Sequence, residues 1–153
     1  MNEVEKLIRK YVKEGRMLQV ATANSNQPWN CTLYFASDAN LNLYWISKPE
    51  TRHSKELIEN PKVAACIPIK FDDLNVIGLQ LEGTAEIIED PEEIKTKVKL
   101  YSDKFARGED WYQDFIDGKN VHKLYRIKPT KFELFDTVNF DDPKQKWQPN
   151  QLS

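Results

Sequence analysis

One stretch of the chain gathers residue types able to hold an anion: Ser47-Lys48-Pro49-Glu50-Thr51-Arg52-His53-Ser54-Lys55. It follows an aromatic, alternating run and opens a short helix read over Thr51 to Asn60, ended by Pro61. The first turn of a helix leaves backbone N–H groups without acceptors and carries a partial positive charge, which suits a phosphate. Arginine adds a planar fork of donors for a phosphate dianion. The same residues also read as an ordinary capped helix with solvated charges, and residue types alone leave both open.

Other chemistry is sparse. The two histidines, His53 and His122, belong to no HExxH, and there is no CxxC or clustered His/Cys set, so a transition-metal site is not expected. No glycine-rich phosphate loop, GxGxxG or GxSxG occurs. Carboxylates are plentiful, but none forms a recognisable acid–base pair. Cys31 and Cys66 read as small, reduced strand residues. His122 reads as a polar residue at a strand edge, and Trp45 as core.

The elements that must position these groups follow from periodicity. Val4, Leu7, Ile8, Tyr11 and Val12 lie on one helical face, with Asn2 as cap and Gly15 as terminator. The pattern then alternates: Met17 to Ala23, a turn at Asn24–Gln27, Trp29 to Ala36, a turn at Ser37–Asn40, and Leu41 to Ile46. Short connections predict an antiparallel meander for these three strands. In the following helix Leu57 and Ile58 are the expected buried pair. Val63 to Ile69 is a strand bent or placed at an edge by Pro68, and Phe71-Asp72-Asp73 a loop. Asn75 to Ile88 is a long strand with Leu79, Leu81, Gly83 and Ala85 on one face and Gln80, Glu82 and Thr84 on the other.

Asp90-Pro91-Glu92-Glu93 opens a helix whose apolar stripe is Ile94, Val98, Tyr101 and Phe105. A short helix over Glu109 to Ile116 carries Trp111, Tyr112, Phe115 and Ile116, more apolar surface than its own core is expected to cover, so part of it should meet a partner. Two strands, Lys123–Lys128 and Lys131–Phe135, close the domain around Pro129, and residues 137–153 read as a polar tail. The expected architecture is α+β: one domain over 1–153, a split or closed antiparallel barrel of six to seven strands with core residues about 17–136, and short helices inserted between strands.

Bulk properties narrow the class. The 153 residues, 40% hydrophobic and 30% charged, fit a single globular domain. A formal charge of −2 and the lack of basic stripes weigh against a nucleic-acid-binding barrel. No run is long enough to span a bilayer, and the acidic, amphipathic start does not read as a signal peptide, so a cytoplasmic protein is expected.

The order of these pieces resembles the pyridoxamine 5′-phosphate oxidase-like split-barrel superfamily. Ser47, Thr51-Arg52-His53 and Glu59-Asn60-Pro61-Lys62-Val63 resemble its segment that holds the FMN phosphate. Leu81-Glu82-Gly83-Thr84-Ala85-Glu86 resembles its long strand, and Tyr125 to Asp136 its closing strands. The resemblance implies bound FMN in a homodimer with the flavin at the subunit interface. It implies Thr51 and Arg52 as phosphate ligands, with His53 standing where many members have lysine. Ile46 and Ser47 would meet the cofactor at the end of the third strand. Asn30, Cys31 and Thr32 would lie along the ring, Gln80 at its edge, and Trp111 over it from the partner. The Arg- and His-containing C-terminal motif of the true oxidases is missing, so the vitamin B6 reaction is not expected. The resemblance implies a flavin-dependent oxidoreductase with a nicotinamide-type donor or, alternatively, a flavin- or heme-binding sensor or carrier.

Overall fold

The computed structural model describes residues 1–149. Helix α1 (Glu3–Glu14) starts where the sequence caps it: Asn2 Oδ1 accepts the Glu5 N–H at 2.8 Å. It buries Ile8, Tyr11 and Val12. Strands β1 (Met17–Asn24) and β2 (Gln27–Tyr34) form a hairpin whose two turn residues, Ser25 and Asn26, have φ of 51° and 63°. Positive φ at both positions matches the right-handed strand twist.

The expected meander stops there. Phe35 and Ala36 are both buried, which breaks the alternation and takes the chain off β2. It continues as β3 (Ala36–Ser37) and a turn in which Asp38 Oδ1 accepts the N–H groups of Asn40 and Asn42 at 2.9 and 3.0 Å. Leu41, expected in the third strand, sits in this turn with φ 65°. The third long strand is thus β4 (Leu43–Ser47), and it pairs with β3 and with β7 (Lys123–Asp136), not with β2.

Helix α2 (Arg52–Glu59) is capped by Thr51 and buries His53, Ser54, Glu56 and Leu57. Ile58, expected inside, is 57% exposed, because the inward face follows the i, i+3, i+4 spacing from His53. Strands β5 (Lys62–Asp72) and β6 (Asn75–Ile88) form a long hairpin, so only Asp73 and Leu74 remain as the loop; a bulge follows Pro68. The face assignment along β6 holds, with Leu79, Leu81 and Ala85 buried and Gln80, Glu82 and Thr84 exposed.

Strand β7 is continuous through Pro129, where two strands are expected. The register with β6 shifts between Glu82 and Gly83, so the proline is absorbed by a bulge. Glycine is needed at 83, since a Cβ there would lie 2.4 Å from the Lys128 carbonyl oxygen. Helices α3 (Pro91–Lys104) and α4 (Glu109–Ile116) cover the outer face, where Tyr44, Ile88, Val98, Phe115 and Leu124 form a second core. The expected polar tail contributes β8 (Lys144–Trp147), which pairs with β7 and sets Trp147 6.0 Å from Phe132. Residues 150–153 of that tail lie outside the described residues.

The sheet runs β2-β1-β5-β6-β7-β4-β3, all pairs antiparallel, with β8 beside β7: the split barrel expected, with eight strands among the described residues. Its interior holds Leu18, Val20, Leu43, Trp45, Ile67, Leu79, Ile127, Phe132 and Leu134, joined by Ile8 and Val12 of α1. Among the described residues no helix is long and apolar enough to cross a membrane.

Candidate functional site

Two clefts take in Arg52 on one side and Thr32, Ile46 and Trp111 on the other, and successive residues of β4 lead toward one each. Ser47 ends β4 with its side chain buried, while Ile46 faces the other way, half-exposed. Ser47 Oγ lies 2.7 Å from His53 Nε2, and Thr51 Oγ1 lies 3.3 Å from the same nitrogen. Thr51 also donates to the Lys48 carbonyl at 2.9 Å and meets Ser54 Oγ at 2.7 Å, so the α2 entrance is a closed set of hydroxyls around one imidazole. His53 is only 9% exposed, and burial holds its pKa below the ordinary value. It therefore supplies a neutral hydrogen-bonding group, not the charge that a lysine would bring.

Arg52 is engaged on one side only. Its Nε is 3.1 Å from Glu56 Oε2, and its guanidinium lies 4.1 Å over the Trp29 ring. The terminal nitrogens are left toward an open cleft of about 530 Å³ lined by Asn24, Ser25, Glu50, Arg52, Lys55 and Glu56. Two cations and two carboxylates nearly cancel there. An anion there would have to rely on directional donors, namely the Arg52 fork and the first-turn N–H groups, more than on net charge. Glu56 is buried and accepts from the Thr22 hydroxyl at 3.4 Å.

The second cleft, about 380 Å³, brings Thr32, Ile46 and Trp111 together with Tyr34, Tyr101, Arg107 and the loop Asn120-Val121-His122. Trp111 lies 6.1 Å from Tyr101, close to parallel, and 5.5 Å from Phe115. Phe115 is buried and Trp111, Tyr112 and Ile116 are half-covered within their own chain, so α4 does not by itself call for a partner. Arg107 and Asn120, which the sequence reading passed over, line this cleft with His122. The signals were Arg107 at a chain reversal, between Ala106 with φ 49° and Gly108 with φ 89°, and an asparagine two residues before a histidine. His122 stands at the edge of β7, one residue before it begins, and also lines this cleft.

Other residues are not brought in. Gln80 stands on the outer face of β6 opposite Cys66 and Glu133, in a separate shallow cleft with Lys131. Asn30 shares the Thr32 face of β2 and is exposed, but lines neither cleft. Cys31 turns toward the core, and burial pushes its thiol up to about 11, so it carries no thiolate chemistry. Strand β2 ends the sheet with no charged residue among its eight; Trp29 is 41% and Tyr34 56% exposed.

Comparison with known proteins agrees with this architecture. A conserved hypothetical protein of Mycobacterium tuberculosis superposes with a TM-score of 0.74 at 22% identity, over 89% of this chain and 85% of its own. An FAD-binding protein of Mesorhizobium loti gives 0.68 at 19% identity, over 86% and 92%. A heme storage protein of Vibrio cholerae gives 0.61 at 19%, over 84% and 91%. A UPF0306 protein of Haemophilus ducreyi is 23% identical over 90 residues, 58% of this chain and 62% of that protein, so the shared part is less than two thirds of the relative's length. The pattern of pyridoxamine 5′-phosphate oxidase matches residues 4–135, nearly the whole barrel, and the chain belongs to that family.

Proposed function

We propose that the protein binds FMN in a homodimer and passes reducing equivalents between a nicotinamide-type donor and a small acceptor. The observation that carries the reading is the α2 entrance. Arg52 is oriented by Glu56 through Nε, so both terminal nitrogens are left for a ligand, beside the first-turn N–H groups of Arg52 and His53 (that of Ser54 is capped by Thr51) and the Ser47–His53–Thr51 cluster. In this reading Arg52 holds the phosphate, Thr51 joins it by turning its hydroxyl proton from the Lys48 carbonyl to the ligand, and Ser47 and His53 fix the loop that presents them. Thr32, Ile46 and Trp111 border the ring. Bound FMN supplies the electron chemistry, and the chain supplies position and shields the ring from water. The uncharged edge strand β2 favours the dimer, because natural sheets seldom leave such an edge open.

The test is titration of purified protein with FMN and with riboflavin, followed by NADH or NADPH. Tighter binding of FMN, and repeated reduction of the bound flavin, support the reading; equal affinities remove the phosphate site. Heme carriage without turnover is a second reading. It is favoured by a histidine whose Nδ1 is taken by Asn120 while the ring lines an aromatic cleft. Hemin titration discriminates: a Soret shift abolished in His122→Ala supports the carrier.

A further inference from the structure

The strongest unassigned arrangement is the Asn120–His122 pair. Asn120 Oδ1 receives the His122 backbone N–H at 2.9 Å and lies 2.8 Å from His122 Nδ1. A backbone N–H only donates, so the shared atom must be the amide oxygen, and the ring nitrogen facing it must carry a proton. In the neutral ring, therefore, the proton is on Nδ1, and Nε2 holds the lone pair. No described residue hydrogen-bonds Nε2, and His122 lines the second cleft.

The rest of that cleft is short of acceptors. Arg107 and Trp111 offer only donors, the hydroxyls of Thr32, Tyr34 and Tyr101 offer both, and no carboxylate lines it. The Asn120 oxygen is already filled by two donors. His122 Nε2 is thus a fixed acceptor among donors, beside the aromatic walls of Tyr34, Tyr101 and Trp111. An isoalloxazine has the complementary edge. Its oxidised ring carries one N–H, the imide at N3, between two carbonyl oxygens.

We propose that His122 accepts the imide N–H of the flavin ring and that Asn120 is the positioning residue which sets its tautomer. The proposal rests on the flavin reading above and names how that site tells an imide-bearing ring from an N-alkylated one. A hydroxyl could turn to donate or accept as the ligand requires, whereas Nε2, with its tautomer set by Asn120, discriminates.

The experiment compares FMN with 3-methyl-FMN on wild type, His122→Phe, His122→Gln and Asn120→Ala, following flavin fluorescence quenching. Methylation is expected to weaken binding to wild type about tenfold, since it removes one hydrogen bond and leaves His122 Nε2 without a donor. In His122→Phe the two ligands should differ less than about threefold, and in His122→Gln, whose amide oxygen can accept, the difference should return in part. Asn120→Ala should fall between wild type and His122→Phe. Indifference of wild type to methylation, or the same ratio in wild type and His122→Phe, overturns the role of His122 while leaving FMN binding intact. Failure of FMN itself to bind wild type overturns the flavin reading and this assignment together.

Discussion

Arg52→Ala tests the phosphate site and the fold around it with one substitution. In the folded protein the Arg52 side chain is 48% exposed, its partner Glu56 only 6%. Truncation removes a cation–π contact of ~0.5–1 kcal/mol with Trp29. It also removes an ion pair whose exposed side discounts it to ~0.2–1 kcal/mol. The buried Glu56 keeps only the long Thr22 hydrogen bond. A total loss of about 1–2 kcal/mol should lower Tm by roughly 2–8 °C for a domain of this size. The effect on ligand is separate. A charge-assisted fork to a phosphate contributes ~1.5–3 kcal/mol, which is about 10- to 150-fold in affinity for FMN and nothing for riboflavin. Arg52→Lys keeps a point charge but loses the fork and the Nε contact to Glu56, so it should fall between. Fluorescence titration of both flavins and a thermal melt read the two effects independently. If FMN and riboflavin lose affinity by the same factor, or if Tm falls while FMN affinity does not change, Arg52 is a structural arginine and the phosphate lies elsewhere.

The remaining predictions test other parts of the structure. Gly83→Ala should cost at least ~2 kcal/mol in urea unfolding, because the added methyl meets the Lys128 backbone, which cannot yield as a flexible side chain would. Trp45→Phe should cost less than about 2 kcal/mol despite full burial, since the indole N–H has no partner and its loss offsets part of the lost packing. His53 is held neutral by burial, below its ordinary value of 6.5, so between the two pKa values the unfolded chain binds more protons. Stability should then be complete above about pH 6.5 and decline as pH falls through the folded pKa, and Tm measured from pH 5 to 7.5 should lose that slope in His53→Gln. The protein should sediment as a dimer with FMN present, and Asn30→Lys, which puts a charge on the exposed face of β2 away from both clefts, should shift it toward monomer at micromolar concentration.

What could be read from the sequence divides along a physical line. Local signals held: Asn2 and Asp90 cap their helices, Gly15 ends α1, and β6 alternates as read. These depend on neighbours within a few residues, which a sequence displays directly. The errors came where a distant strand decided. Leu41 to Ile46 looked like the third strand of a meander, yet β4 takes its register from Ile127 and Tyr125, more than seventy residues away. Pro129 looked like a break, but Gly83 on the facing strand makes room for the bulge that carries β7 through it. The site divides the same way. Ser47, Thr51, Arg52 and His53 are close in sequence and were legible as one turn with the donors an anion would need. The aromatic cleft is assembled from β2, β4, α3, α4 and the 120–122 loop, and no local pattern announces that Arg107 and His122 share it. His53 is the instructive case. Its position in the first turn invites a charged role, but the i, i+3, i+4 face that buries Glu56 and Leu57 carries it inward onto Ser47. There desolvation disfavours the cation, and the same residue becomes a neutral member of the hydroxyl cluster. An anion at this turn must then draw its charge complement from Arg52 and the helix N-terminus, which is why the Arg52 and riboflavin comparison bears on the whole reading.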